Sequence, residues 1–476
     1  MDTNFNQKIV LVGAGVVNLV TAYFLAKHDY ELVIIDKAPS PLSKKANWKN
    51  QGCTFGGENV RMYTYTEADN YNEKGSQLYA DMGDIFNKQI AEEGWLVNPA
   101  SSLNEAEKAW VNNFRTVTPQ EANQFAEDIY TVNINSGTIW DKMMVEDSFL
   151  FEDVDFLPEI LRIYSEEEDF QAAQKLHRRL GSFKRTFKMA DYIKAHPVFQ
   201  YARATDMFGG CMITEGFTLK VQDFSIKIIQ FLESKGVDFR WEHTFQGIKK
   251  DALGRVKGIM VEDELLSFNS YILSPGAYTS TTLKGTLSDN QLHGVLGVWL
   301  TIPNVHPELK HSMKIHKTGH VGEDTNITLI EDKNGKQLVL GSGYGYTGNS
   351  SKNHVRLEQL EGIFDSLKHT ARTYFPDAYE ASLSYLDETQ KYCVRSWTPT
   401  GLGLFEVQEA PKGKLIITGG NNTGGFTQSP YIADAVLATL ADKKHPMQHL
   451  FHPMRGVKKQ YKVAENKNLG RAASSR

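Results

Sequence analysis

Hydrophobic patterning is sharpest near the start of the chain. Lys8-Ile-Val-Leu-Val12 is a short β-branched run of the kind found in a strand buried on both faces. Gly13-Ala-Gly-Val-Val-Asn18 follows, and then Leu19, Val20, Tyr23, Phe24 and Leu25 recur at helical spacing. Glu31-Leu-Val-Ile-Ile-Asp36 reads as a second strand ending on an acid. The apolar stretch Ile9 to Ala26 is long enough to suggest a membrane span. Gly13, Gly15, Asn18 and Thr21 interrupt it, however, and a buried strand and helix explain it better. Near the other end, Leu415 to Pro430 predicts a strand, a glycine-rich turn and a helix starting near Gln428. Ile432, Ala433, Val436, Leu437 and Leu440 form that helix's apolar face. Residues 104–200 read as polar and helix-rich, with helix starts at Leu103 and Thr118 and a solvated acidic run at Glu166 to Asp169. Strands are expected around 293–302, 313–318, 325–331 and 337–342.

Composition narrows the class. The 476 residues allow about two to four structural units. Apolar residues at 41% and charged residues at 23% exclude disorder and fibrous repeats. A net charge of −5 offers no general attraction for nucleic acid. Cys53, Cys211 and Cys393 form a sparse, odd set without metal-ligand spacing, which argues for a reducing compartment and against a metal site. No leader pattern opens the chain, so a cytoplasmic protein without a transmembrane segment is expected. The tail 451–476 carries Arg455, Lys458, Lys459, Lys462, Lys467, Arg471 and Arg476 against Glu465. We read it as a frayed basic end, which leaves peripheral membrane association open.

Strand, glycine turn, helix, strand and acid together form a dinucleotide fingerprint. Gly13 permits the tight turn, and Gly15 lets backbone amides approach a pyrophosphate at the positive helix end. Asp36 can accept from both ribose hydroxyls and would repel a 2′-phosphate, so NADP is disfavoured. Asn18 stands where the third glycine usually allows close helix–strand packing. Either the helix sits farther off or Asn18 finds a partner. The C-terminal turn Gly419-Gly-Asn-Asn-Thr-Gly-Gly425 opens a second positive helix end, suited to the negative charge of a reduced flavin.

These two turns resemble the D-amino-acid oxidase superfamily of FAD-dependent oxidoreductases, which includes glycine oxidase, sarcosine oxidase and D-amino-acid dehydrogenase. Gly209-Gly210, Gly216 to Leu219, the helix Phe224 to Lys235, Gly254 to Gly258 and Tyr271 to Tyr278 follow the family's order. The resemblance spans most of the chain, more loosely over about 100–200 and 300–385. It implies an α/β protein: an FAD-binding Rossmann-like domain of the glutathione-reductase type with a discontinuous α+β substrate domain. We place the first in 1–100, 201–285 and 390–450, and the second in 101–200 and 286–389. The expected FAD contacts are Gly13, Gly15, Val16, Val17, Asn18, Asp36, Lys37, Cys53, Thr54, Thr244, Phe245 and Gly276. Gly420, Asn421, Gly424, Gly425, Phe426, Thr427 and Gln428 complete them from the C-terminal turn.

On the same resemblance Arg395 matches an arginine that binds the substrate carboxylate, with Ser396 where proline is usual and Thr400 where aspartate often stands. A planar guanidinium suits that task because it can give two parallel bonds. Arg61 resembles a basic residue near the reacting flavin edge, where a cation would offset developing negative charge. Tyr346 and Tyr392 are candidate substrate contacts, Tyr278 and Tyr344 candidate pocket walls, and His293 a weaker candidate base. Cys53 raises the question of covalent FAD attachment; a partly buried inert thiol is the simpler reading.

The implied reaction removes a hydride from the carbon bearing nitrogen of an amino acid or amine and delivers it to flavin N5. The resulting imine hydrolyses to a keto acid. Such chemistry rests on alignment and needs no dedicated base if the amine binds neutral. The electron acceptor, oxygen or a quinone, is unknown, although residues 292–302 contain no lysine, which leans toward a dehydrogenase. A flavin monooxygenase or hydroxylase and a non-catalytic flavin-binding subunit are the alternatives. The spaced glycines of Leu338 to Gly345 lack a following apolar helix and are read as a decoy rather than a second nucleotide site.

Overall fold

The computed structural model describes residues 7–56, 61–68, 85–277, 282–317, 324–350 and 355–457. Tyr278 and most of the basic tail, from residue 458 on, lie outside the described residues. The strands are β1 (Lys8–Val12), β2 (Glu31–Asp36), β3 (Arg61–Tyr63), β4 (Leu157–Tyr164), β5 (Phe183–Thr186) and β6 (Gly210–Leu219). Next come β7 (Asp238–Trp241), β8 (Phe245–Lys250), β9 (Val256–Val261), β10 (Glu264–Leu266), β11 (Ser270–Leu273) and β12 (His293–Pro303). The last are β13 (Ser312–His316), β14 (Asp324–Asp332), β15 (Gly335–Gly348), β16 (Lys391–Trp397), β17 (Leu404–Ala410) and β18 (Gly413–Gly419). The longer helices are α1 (Val16–Lys27), α2 (Glu105–Thr116), α3 (Pro119–Glu146), α4 (Glu167–Arg179), α5 (Val221–Ser234), α6 (Glu361–Tyr374) and α7 (Gly425–Leu440).

A six-stranded sheet runs β17-β18-β11-β1-β2-β7 and is parallel except at β17. Its strands lack polar alternation because both faces are covered. Ile9, Leu11, Leu32, Ile34, Ile272 and Ile416 pack against α1, α5 and α7. Val10, Val12, Val33, Ile35, Tyr271 and Leu273 pack under Phe245, Val256, Ile259 and Val261 of the three-stranded sheet β10-β9-β8.

The nine-stranded sheet runs β16-β12-β15-β14-β13-β4-β6-β3, with β5 also paired to β6. One face is apolar: Leu161, Ile163, Met313, Ile315, Ile327 and Leu340 pack with Ile363, Phe364 and Leu367 of α6. The opposite face carries a register row of Arg162, Lys314, Asn326, Gly341, Trp299 and Lys391. Lys314 is ion-paired to buried Glu67 at 2.8 Å, and Arg162 donates to Thr66 Oγ1 at 2.7 Å. That polar face thus turns toward the 64–68 segment, which leads out of the cofactor half of the chain.

Several elements differ from the expected organisation. β3, β6 and β16 lie in sequence ranges placed with the cofactor domain, yet they hydrogen-bond into the nine-stranded sheet. Conversely, α3 lies in the range given to the substrate domain but packs in the core of α1 and α7. Asn133 of α3 donates to Tyr65 O and Glu67 O, and Ser136 and Trp140 donate to Thr427 O. Those buried polar side chains find their partners in the 64–68 segment and on α7. β4 interrupts the supposedly helical stretch, and the glycines at 341, 343 and 345 lie inside β15. A Cβ at 341 or 345 would come within 2.4 Å of Trp299 Nε1 or 2.8 Å of Leu296 Cγ, so packing explains them. α7 begins at Gly425, one turn before the expected start. Pro430 cannot donate to Phe426 O, and Ser429 Oγ supplies that carbonyl with a bond at 2.8 Å.

Among the described residues no helix is long and apolar enough to cross a membrane. At the first turn, Asn18 is 1% exposed and its Nδ2 donates to Val12 O at 2.8 Å and Gly13 O at 2.9 Å. The residue that departs from the fingerprint therefore ties α1 to the end of β1. Asn18→Ala should lower the unfolding free energy by about 1–3 kcal/mol, seen as an earlier urea midpoint at unchanged slope.

Candidate active site

β1 ends in Gly13, whose φ of +95° lies in the left-handed region, and a Cβ there would be 2.3 Å from Ser274 O just past β11. Only glycine admits that approach. Asp36 closes the turn from β2: Oδ2 accepts from Ala14 N at 2.6 Å and Oδ1 from Ala38 N at 2.8 Å. Burial raises the Asp36 carboxyl above its ordinary value, while the Ala14 and Ala38 amides and the Lys37 charge oppose the rise. Each carboxylate oxygen retains acceptor capacity for a ribose hydroxyl.

Gly15 is exposed, and Thr54 Oγ1 lies 3.7 Å from the position of a Cβ there. Thr54 Oγ1 accepts from Val16 N at 3.0 Å. Thr54 and Cys53 belong to one helical turn, Cys53–Gly56, laid beside the start of α1. Val17 is half-buried beside Gly425, so the openings of α1 and α7 are neighbours. Lys37, Thr244 and Gly276 are exposed, whereas Phe245 is buried. Thr244 N donates to Glu262 Oε1, and His243 N to Asp36 O at 3.0 Å, which sets this segment beside the end of β2.

In the C-terminal turn, side chains face inward. Phe426 packs on Trp140 and Phe217, and Thr427 Oγ1 donates to Met62 O at 3.1 Å. Asn421 Nδ2 donates to Gln428 Oε1 and Gln428 Nε2 to Asn133 Oδ1, at 2.9 and 3.2 Å. A ligand at this turn would meet Gly420, Gly424, Gly425 and backbone amides, since the first amides of a helix lack partners within it. Two positive helix ends, a glycine-rich turn and a carboxylate with acceptor capacity to spare fit FAD.

β16 carries Arg395 away from this turn and is tied to it. Ser396 O accepts from Asn422 N and Ser396 Oγ from Gly420 N, at 3.1 and 3.2 Å. The serine that replaces the usual proline thus links the Arg395 strand to the cofactor turn. Arg395 reaches across β12, where a Cβ at Gly297 would lie 1.9 Å from Nη2, and donates to Gly343 O at 2.9 Å. Its guanidinium lies 5.8 Å from the Trp299 ring and 5.7 Å from the Tyr344 ring. Among the described residues it has no carboxylate within salt-bridge distance, and its Nε has no partner. Gly297 and Trp299 were not singled out from the sequence. An isolated glycine in the apolar run Val295 to Leu300 was the available signal of a close approach.

The other candidates are placed differently. Tyr346 is 2% exposed, among Phe86, Trp110 and His293. Its hydroxyl bonds His293 Nδ1 at 2.7 Å, and His293 Nε2 meets Asn290 Oδ1 at 3.0 Å. Burial lowers the His293 pKa to about 3, so the ring is neutral. Tyr392 is half-buried, meets the Trp48 ring edge-on and donates to Val355 O at 3.3 Å. The backbone of Arg61 opens β3, and its side chain lies outside the described residues.

Fold and site together define a flavin-dependent oxidoreductase. A family model for FAD-dependent oxidoreductases, the DAO family, matches residues 8–439, and the chain belongs to that family. A D-amino acid dehydrogenase of Phenylobacterium zucineum is 21% identical over 438 residues, covering 90% of this chain and 94% of that protein. Another from Rhizobium rhizogenes is 21% identical over 309 residues, covering 63% of this chain and 68% of that one. Among solved structures, glycine oxidase from Geobacillus kaustophilus aligns with a TM-score of 0.62 at 14% identity, over 94% of this chain and 99% of its own. L-proline dehydrogenase from P. horikoshii aligns at 0.61 and 12% identity, over 94% and 97%. FAD is the family's cofactor.

A histidine that folding holds neutral contributes stability that is complete above its unfolded pKa of about 6.5 and is lost as pH falls toward the folded value. His293, near 3, and His177, lowered by burial to about 2, both behave this way. Chemical denaturation across pH 7 to 4 should show stability falling with acid. His293→Gln should shallow that slope by up to about 1.4 kcal/mol per pH unit.

Proposed function

We propose that the protein oxidises the C–N bond of an amino acid or a related amine, with Arg395 binding the substrate carboxylate. The observation that carries this reading is a guanidinium held between two aromatic rings, with no carboxylate partner among the described residues and an unsatisfied Nε. Arg395 is half-buried, and a partly desolvated cation without a counter-charge would gain charge-assisted bonds from an arriving carboxylate. The D-amino acid dehydrogenase relatives point to the same substrate class.

FAD, when bound, supplies the hydride acceptor. The chain's own residues bind and orient. Arg395 would hold one end of the substrate, Trp299 and Tyr344 would exclude water from the guanidinium, and Gly297 would leave it room. Tyr392 is on the same strand as Arg395 but three residues away, on the opposite face against the apolar cluster, so it would not share the anchor's side of the sheet. Arg61, at the start of β3, is the second cation of the proposal. Tyr346 and His293 would act one layer behind, as a buried neutral pair that fixes the wall beneath Tyr344. No group with a depressed or raised pKa is asked to act as base, because a neutral amine can release the hydride without one. The product imine would hydrolyse to a keto acid, and the terminal electron acceptor would be oxygen or a quinone.

The decisive test is an anaerobic screen of D-, L- and N-methyl amino acids against the yellow protein, followed by flavin absorbance. Bleaching by amino acids without nicotinamide cofactor is expected. Bleaching only by NAD(P)H, or by no amine at all, overturns the reading. Arg395→Gln should raise KM about tenfold to a hundredfold for carboxylate-bearing substrates. Gly297→Ala should act in the same direction by displacing the guanidinium, with flavin content preserved. An unchanged KM in both variants would remove Arg395 from the site.

A further inference from the structure

Cys53 and Cys393 stand 340 positions apart in the chain, and their sulfurs lie 2.9 Å from one another. Both are reduced thiols. A disulfide closes at about 2.05 Å, so bond formation asks for a sulfur displacement of roughly 1 Å, within the reach of side-chain rotation. The two residues come from different halves of the architecture. Cys53 opens the helical turn beside α1, on the cofactor side, and is half-buried. Cys393 lies in the middle of β16 in the nine-stranded sheet and is 6% exposed.

The surroundings favour a bond between these two sulfurs. Trp299, Val339 and Ile330 pack with the pair in one apolar cluster. Cys393 is paired across the sheet with Gly297, over which the Arg395 guanidinium lies. The third cysteine is separate: Cys211 sits in β6, and burial pushes its thiol up to about 12, which keeps it protonated and unreactive.

Position gives the pair a consequence. Thr54, directly after Cys53, accepts the amide of Val16 at the start of α1. Arg395 lies two residues beyond Cys393 on the same strand. A bond between the sulfurs would fasten the turn that closes over the cofactor end of α1 to the strand that carries the substrate anchor.

We infer that Cys53 and Cys393 form a reversible disulfide that fastens the cofactor turn to the substrate sheet and slows release of FAD. The oxidant is a low-molecular-weight disulfide. The half-exposed Cys53 thiolate attacks it, forming a mixed disulfide and releasing one small thiolate. Cys393 then loses its proton and its sulfur attacks the Cys53 sulfur, expelling the second small thiolate. In sum, two protein thiols and one small disulfide give one protein disulfide and two small thiols, with two electrons passing to the small molecule. Excess small thiol reverses both steps. Such a bond is of the labile, sensing kind that a reducing compartment tolerates. This inference concerns FAD retention and holds whichever amine the protein oxidises.

The test uses the full-length, FAD-loaded protein treated with oxidised glutathione, then alkylated after denaturation. Of the three thiols, one should remain alkylatable, at Cys211, and peptide mapping should join the segments containing Cys53 and Cys393. Flavin fluorescence after dilution should report FAD release slowed by about tenfold, with the fast rate restored by dithiothreitol. Cys53→Ser and Cys393→Ser should each lose the oxidant response; Cys393→Ala keeps the buried site apolar should the serine variant fold poorly. Three alkylatable thiols after oxidation, or a stable mixed disulfide left on Cys53, overturns the bond. A mapped 53–393 bond with unchanged FAD release overturns its role.

Discussion

A single backbone carbonyl governs the cofactor end of this molecule. Ser274 O, just past β11, occupies the space where residue 13 would carry a Cβ. Because β1 and β11 are paired in parallel, that approach fixes how the turn leaves the sheet and where α1 begins. Asn18 then reaches back to Val12 O, which also accepts from Ser274 N, and to Gly13 O. In the usual fingerprint, close packing comes from the absence of a side chain at this point. Here the same contact is made by a side chain long enough to bond both carbonyls, so the departure preserves the geometry.

The second half of the cofactor site is braced by a different device. Asn421, Gln428 and Asn133 form a buried chain of amides from the C-terminal turn through α7 to α3, and Asn133 continues it to the carbonyls of Tyr65 and Glu67. Every link is a side chain that would be costly to leave unpaired. Glu67 in turn pairs with Lys314 on the nine-stranded sheet. The chain of contacts therefore runs without a gap from the turn that would meet the flavin to the polar face of the nine-stranded sheet. Ser396 makes a second, shorter connection at β16. Two independent ties across one junction restrict how that sheet can shift against the cofactor turn.

What the sequence discloses follows from how local each feature is. The strand–turn–helix–strand–acid pattern is legible because its demands, a left-handed φ at Gly13 and a carboxylate at Asp36, fall on residues within one short segment. β4 is hidden because Glu159 and Arg162 break its apolar alternation, and the reason they are tolerated, bonds to Arg185 and Thr66, lies in other segments. α3 reads as a polar inserted helix because Asn133 and Ser136 look solvated until their partners on α7 and in the 64–68 segment are known. Arg395 could be singled out from its surroundings in the chain, yet Gly297, which makes room for its guanidinium, is recognisable only as an unexplained glycine in a strand. The adjacency of Cys53 and Cys393 has no local signature at all.

The distribution of titratable groups bears on how such a site could work. Buried His293 is held neutral with both nitrogens engaged, and the Tyr346 hydroxyl is bound to it and sealed from solvent. Neither can exchange a proton with a ligand without breaking a bond and exposing a polar atom in an apolar cluster. Among the described residues Arg395 has no carboxylate within salt-bridge distance and is set by Gly297, Trp299 and Tyr344. A site of that composition can bind, orient and desolvate an anion, and it stabilises negative charge accumulating nearby. The arrangement of the chain therefore agrees with a reaction in which the protein contributes alignment and electrostatics while the electrons leave through the cofactor.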